Sequence, residues 1–203
     1  MTRQGATRAL SFDISAARVG GSAVLGAIRF ELGQGECVAL CGPSGIGKST
    51  ILRVIAGLET DFDGRVACAP RIGMVFQEPV LLPWRVARDN LRLLAKIDAP
   101  TAQGWLERVG LGACADRFPG QLSLGQQRRL SLARAFAATP DVLLLDEPFV
   151  SLDSDMADEM MALFEGLHRA RPIATLIVTH VEAEASRLAT RILRLAGRPA
   201  RLV

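Results

Sequence analysis

The sequence predicts an α/β fold, a mostly parallel sheet flanked by helices and interrupted by a helical insertion. Three observations carry this. Short β-rich apolar runs alternate with helical patterns along the 203 residues. The runs are continuously apolar, as strands buried on both faces are, and a glycine-rich stretch joins one of them directly to a helix. With 49% apolar and 22% charged residues, the chain has the composition of a globular domain that buries one substantial core.

Taken in order, "ECVALC" (36–41) reads as the first buried strand, and it enters "GPSGIGKST" (42–50) and the amphipathic helix "STILRVIAGL" (49–58). "RIGMVF" (71–76) is the next strand. From Gln77 to Pro140 the texture changes. "VARDNLRLLAKI" (86–97), "AQGWLERVG" (102–110) and the segment after Ser123 place apolar residues at three- and four-residue steps, with no convincing strand between them. The sheet resumes with "VLLLD" (142–146), "ATLIVTH" (174–180) and a run through Ile192, Leu193 and Leu195 that ends in a turn. Arg187, Arg191, Arg194, Arg198 and Arg201 fall at helical spacing, but Gly197 and Pro199 interrupt any such helix, so these arginines read as a solvated edge. The expected organisation is one domain over 1–203, with a core of 1–76 and 141–203 and a helical subdomain at 77–140.

Charge and cysteine content exclude several function classes. A net charge of +3, dispersed along the chain, is too small for a nucleic-acid groove. Cys37, Cys41, Cys68 and Cys114 have no CxxC spacing and read as small buried thiols in a reducing compartment rather than as metal ligands. No apolar run approaches the roughly 20 residues that span a bilayer, and the first 20 residues lack a signal-peptide core, so a cytoplasmic location is expected. Only 23 residues follow His180, which leaves no room for an appended regulatory domain.

"GPSGIGKST" matches G-x-x-x-x-G-K-[ST] between a strand and a helix, the context in which that pattern cradles a triphosphate. Gly42, Gly45 and Gly47 let backbone N–H groups turn inward across Pro43, Ser44 and Ile46, and the helix opening near Thr50 adds its positive end. Of 24 lysines and arginines only Lys48 and Lys96 are lysines. A compact ammonium fits between β and γ phosphates where a planar guanidinium does not, so Lys48 reads as a ligand contact. Ser49 is placed to offer a hydroxyl to Mg²⁺.

At the end of "VLLLD", Asp146 and Glu147 are adjacent acids, and neighbours on a strand point to opposite sides. Asp146 therefore suits the Mg²⁺ shell, and Glu147 suits polarisation of a water attacking the γ-phosphate. His180 ends another buried strand, where it could hydrogen-bond the γ-phosphate or orient that water. A second anion-ready feature lies at "LSLGQQRRLSLARA" (122–135). There Ser123 and Gln126 form a Ser-x-x-Gln capping box before an apolar stripe through Leu130, Leu132, Ala133 and Phe136.

Together these motifs resemble the ATP-binding subunit of ABC transporters, in the family's order and over nearly the whole chain. "GPSGIGKST" resembles the Walker A loop, Gln77 the Q-loop glutamine, "LSLGQ" the signature, "VLLLDE" Walker B, "SLD" ending at Asp153 the D-loop, and His180 the switch histidine. The resemblance implies a P-loop NTPase fold with an antiparallel β portion near the N-terminus. It implies ATP and Mg²⁺ as ligands, with Gln77 joining Ser49 and Asp146 at the metal. It also implies two cassettes closing head to tail, so that Ser123, Gly125, Gln126 and Asp153 act on nucleotide held by a second subunit, most simply a copy of this chain. The implied partner is a membrane permease, docked near Gln77 to Trp84 at the cytoplasmic face, with a solute-binding protein in the complex. The "QEPVLLPW" segment resembles importers of nitrate, sulfonate or taurine type. Two departures stand out. Leu124 replaces the first glycine of the signature pair, which predicts slower turnover, and Val19 stands where the family stacks an aromatic on adenine, which predicts weak base discrimination. The competing readings are a soluble ABC ATPase, which usually carries fused cassettes or long insertions, and a P-loop phosphotransferase, for which the "LSLGQ" helix would be fortuitous.

Overall fold

The computed structural model describes residues 8–203 as two compact units. The first comprises 8–72, Asp141–Glu147 and Pro172–Val203. It opens with an antiparallel sheet of β1 (Arg8–Val19), β2 (Ser22–Leu25), β3 (Ile28–Gly33) and β5 (Phe62–Cys68), in which β1 pairs with all three others. Alternation along β1 buries Leu10, Phe12 and Ile14, and Phe12 stacks on its cross-strand partner Phe30 with ring centroids 5.0 Å apart. A Gly20–Gly21 turn with both φ angles positive closes the β1–β2 hairpin.

The second sheet of this unit runs in the order β10 (Arg201–Leu202), β9 (Arg191–Ala196), β4 (Cys37–Cys41), β8 (Ala174–Thr179), β7 (Val142–Asp146). The pairs β9–β4, β4–β8 and β8–β7 are parallel, and only β10 runs antiparallel. β4 and β8 are buried throughout and β7 in all but its last residue, as their continuous apolar character predicts. Helix α1 (Lys48–Ile55) follows β4, and α6 (Glu182–Leu188) lays Ala185 against Ala39 and Cys41. Register decides what this sheet presents: Cys41 is level with Thr179, and Val178 with Asp146. The residues that follow these strand ends, Gly42, Glu147 and His180, therefore leave the sheet along one edge.

β6 (Ile72–Val75) leads into the second unit, Gly73–Pro140 and Pro148–Arg171. Its burial alternates instead of being complete, so the expectation of a strand buried on both faces does not hold for "RIGMVF". The helices are α2 (Ala87–Ala95), α3 (Ala99–Arg108), α4 (Leu124–Ala137) and α5 (Ser154–Ala170). Their shared core includes Leu91, Leu106, Leu111, Leu130 and Ala133. α3 starts three residues before the periodic pattern does, because Asp98 caps it by accepting from the Thr101 N–H at 2.9 Å and Pro100 lies in its first turn. The stretch Pro148–Arg171, counted from the sequence with the sheet, belongs to this unit: Leu163 and Leu167 pack on the helical core, and Phe164 meets Phe136 edge-on.

Candidate functional site

The glycine-rich loop leaves β4 at Gly42 and returns to helical geometry at Lys48. Gly45 (φ 73°) and Gly47 (φ 112°) take left-handed backbone, and a Cβ on Gly47 would lie 2.6 Å from Leu25 Cδ2. Glycine is required there twice over, by dihedral and by space. Lys48 is only 4% exposed. Its Nζ donates to the carbonyls of Gly42 (2.8 Å) and Pro43 (3.0 Å) and lies 3.5 Å from Glu147 Oε1. Lys48 is thus folded over the loop, its charge held against two loop carbonyls and Glu147. A cleft of about 520 Å³, lined among others by Pro43, Ser44, His180 and Arg194, opens on one flank of the loop.

The two acids face different partners, although Glu147 lies past the strand end and not on the strand, contrary to the expectation from sequence. Asp146, the last residue of β7, accepts from Ser49 Oγ at 3.2 Å. Burial pushes the Asp146 carboxyl above its usual range; the Ser49 hydrogen bond opposes this, neighbouring Glu147 adds to it and Lys48 opposes it. Glu147 lies just past the strand with φ 46°, a left-handed conformation unusual for a residue other than glycine. Its N–H still bonds the Val178 carbonyl at 2.9 Å, while its carboxylate faces Lys48 and, through Oε2 at 3.1 Å, His180 Nδ1.

That contact constrains the histidine. Donation from Nδ1–H to the carboxylate leaves Nε2 of a neutral His180 as an acceptor. Only an imidazolium presents a second N–H to an anion.

Sequence reasoning missed what holds His180. The buried carboxylate of Glu184 accepts from Thr179 Oγ1 at 2.5 Å, and that hydroxyl accepts from the Val181 N–H at 3.0 Å. The residues on either side of His180 are pinned in this way. Burial raises the Glu184 carboxyl, opposed by the Thr179 hydrogen bond and by His180, with Glu147 adding to the rise. A glutamate two residues into a short helix gives no sequence signal of such a role.

In the second unit the capping box forms as the sequence predicts. Ser123 Oγ accepts from the Gln126 N–H at 3.2 Å, and Gln126 Oε1 accepts from the Ser123 N–H at 3.0 Å. Ser123 Oγ keeps its own proton free to donate. Leu124, 46% exposed, faces outward instead of into the helical core. Gly125 is buried, and a Cβ there would come within 2.8 Å of Met156 Sδ. Asp153 caps α5 by accepting from the Met156 N–H at 2.9 Å. The first turns of α4 and α5, carrying Ser123 and Asp153, are therefore in contact.

Gln77 is exposed in the loop after β6. That loop has an anchor the sequence did not reveal: the fully buried Asn90. Its Oδ1 accepts from the Leu82 N–H (2.8 Å), and its Nδ2 donates to the carbonyls of Leu82, Arg85 and Val86. Leu81 packs on the helical core while Val80 and Trp84, the latter 67% exposed, face solvent. Val19 is exposed at the end of β1. The site residues thus fall in two groups. Gly42–Thr50, Asp146, Glu147 and His180 meet at one sheet edge of the first unit, and Gln77, Ser123, Gly125, Gln126 and Asp153 belong to the second.

Comparison with known proteins identifies the family and similar chains. The model of the ABC transporter family matches residues 25–150. An aliphatic sulfonates import ATP-binding protein of Burkholderia lata is 38% identical over 208 residues, covering 97% of this chain and 76% of that protein. A protein of the same name from Mycobacterium sp. is 45% identical over 183 residues, covering 87% and 75%. Among solved structures, a dimeric ATP-binding cassette in a post-hydrolysis state bound to ADP and Pi superposes with a TM-score of 0.82 at 27% identity, covering 95% of this chain and 96% of that one.

Proposed function

Because the chain belongs to the ABC transporter family, we propose that it is the ATP-hydrolysing subunit that powers a membrane importer, and that two copies of it close on ATP. The observation that carries the reading is the cluster at one sheet edge, where Glu147 lies 3.5 Å from Lys48 and 3.1 Å from His180 and the glycine-rich loop sits beside them. The loop N–H groups and Lys48 bind the β and γ phosphates. Glu147 accepts the proton of the attacking water, and His180, oriented through Nδ1, holds the carboxylate and donates from Nε2 to the γ-phosphate in its imidazolium form.

Hard oxygen ligands at Ser49 and Asp146 suit Mg²⁺, and the desolvated Asp146 carboxylate gains from a cation beside it. Gln77 joins them by resemblance. Bound there, the ion would neutralise charge on the β and γ phosphate oxygens. Ser123 with its free proton, Gly125, Gln126 and Asp153 complete the pocket of the second copy's nucleotide, and the dipole of α4 favours the same anion.

Among the described residues no helix is long and apolar enough to cross a membrane, so attachment at the cytoplasmic face falls to a permease. The exposed Val80 and Trp84, on a loop braced by Asn90, are our candidates for its contact. The relatives' names make aliphatic sulfonates the first solutes to test, with a solute-binding protein in the complex. Glu147→Gln is expected to trap an ATP-bound dimer by size exclusion, and wild-type specific activity is expected to rise with protein concentration. A Glu147→Gln chain that stays monomeric at saturating ATP, with concentration-independent wild-type turnover, would refute the reading.

A further inference from the structure

Arg128 lies in the middle of α4, 7% exposed, where a helix in a hydrophobic core ordinarily carries an aliphatic residue. Its Nη1 donates to the Pro148 carbonyl at 2.9 Å. No carboxylate among the described residues offsets its charge, and burial alone lowers its pKa. Its Nε, and Ser131 Oγ one turn along, have no hydrogen-bond partner among the described residues. A buried cation without a counter-ion costs stability that a hydrocarbon of the same volume would not. What the guanidinium gives in return is one directional, charge-assisted bond to the carbonyl that immediately follows Glu147.

We propose that Arg128 is a positioning residue which, from within α4, fixes the start of the 148–153 loop so that this loop and the Ser123 turn reach a partner cassette as one piece. The proposal rests on the reading of Ser123 and Asp153 as groups acting on the partner's nucleotide. Two further contacts join α4 to α5, and a third ties the end of the loop to α5. Gly125 packs on Met156, Asp153 is tied to the Met156 N–H, and Arg129 pairs with Glu159 at 2.5 Å. The loop is thus held at Pro148 by one helix and at Asp153 by the next, with the non-glycine Ser151 kept at φ 61° between them. Backbone in that region persists where its surroundings over-determine it. Without the Arg128 bond the loop keeps one anchor of two, and closure must order it afresh for each ATP.

The test uses Arg128→Met, which fills a similar volume without charge. Nucleotide affinity of the monomer, read with a fluorescent ATP analogue, and the melting temperature are expected to stay within twofold and at or above wild type respectively. ATP-driven dimerisation in the Glu147→Gln background is expected to weaken about tenfold, and kcat of the otherwise wild-type chain to fall about tenfold with KM little changed. Arg128→Lys, able to reach the same carbonyl with a single donor, should recover part of both. A folded Arg128→Met with undiminished dimerisation and kcat would overturn the proposal, and so would a loss that simply tracks melting temperature. If Arg128→Met does not fold, Arg128→Lys is read by the same measures, and wild-type values with unchanged stability then overturn it. Failure of the Glu147→Gln chain to dimerise with Arg128 intact would sink the underlying reading and not this residue's role.

Discussion

Replacing Asn90 with leucine keeps the side-chain shape and removes its side-chain hydrogen bonds to the 82–86 loop. Asn90 is fully buried, so water does not compete for its amide in the native state. One bond, from the Leu82 N–H to Oδ1 at 2.8 Å, is lost outright. The two Nδ2 protons are shared among the Leu82, Arg85 and Val86 carbonyls at 3.2, 2.9 and 3.2 Å, which amounts to two further bonds and not three. At about 1 kcal/mol net for each, the three bonds sum to about 3 kcal/mol. Leu82 is only half-buried, so its N–H can find water when the loop loosens, and part of the loss is recovered. The expected destabilisation is therefore about 2–3 kcal/mol, read from the urea midpoint at constant slope. The local consequence is separable from the global one. Exposed Arg85 should become a preferred tryptic site, Trp84 emission should shift, and permease-coupled activity should fall further than the ATPase of the isolated chain. A loss under about 0.5 kcal/mol with unchanged cleavage at Arg85 would refute the assignment of Asn90 as the loop's anchor.

Two further outcomes follow from single residues. Burial raises the Glu184 carboxyl above its unfolded value near 4.3, so the native state favours the protonated form: that stability is fully present below the unfolded pKa and is lost as pH rises through the folded one. Glu184→Gln should accordingly gain stability relative to wild type as pH rises above the unfolded value, measured by denaturation at each pH, and a flat difference would contradict this. Leu124→Gly removes a bulky, outward-facing side chain from the first turn of α4; it should raise turnover of the dimer several-fold while costing the isolated chain up to about 1 kcal/mol, and an unchanged or lower ATPase rate would show that Leu124 does not hinder closure.

The sheet and the cradle were legible because their signals are local. Continuous apolar runs mark β4, β7 and β8, and the glycine-rich run marks the turn between β4 and α1. The Ser123–Gln126 box was legible for the same reason, since both partners lie three residues apart. Asn90, Glu184 and Arg128 were not, because periodicity assigns a polar residue to the surface. Each is instead buried with contacts to backbone or hydroxyl groups from four to twenty residues away. The grouping of α5 with the helices escaped likewise: Leu163 and Leu167 are apolar at helical spacing, but that spacing does not say which core receives them.

The same asymmetry accounts for Glu147. A glutamate at φ 46° breaks a local rule, at a cost of order 1–2 kcal/mol for a residue with a Cβ. Had β7 simply continued, the alternation of the pleat would fix the carboxylate by strand direction alone. The left-handed turn lets the N–H keep its place in the β8 ladder while the side chain meets both Lys48 and His180. Local strain at this position therefore serves to hold one carboxylate between Lys48 and His180, and the surrounding ladder supplies the rigidity that keeps it there. Relaxing the strain with Glu147→Gly removes the carboxylate as well, whereas Glu147→Gln keeps the side-chain shape and removes only the charge. Of the two, the glutamine variant is the one that isolates proton transfer from backbone geometry.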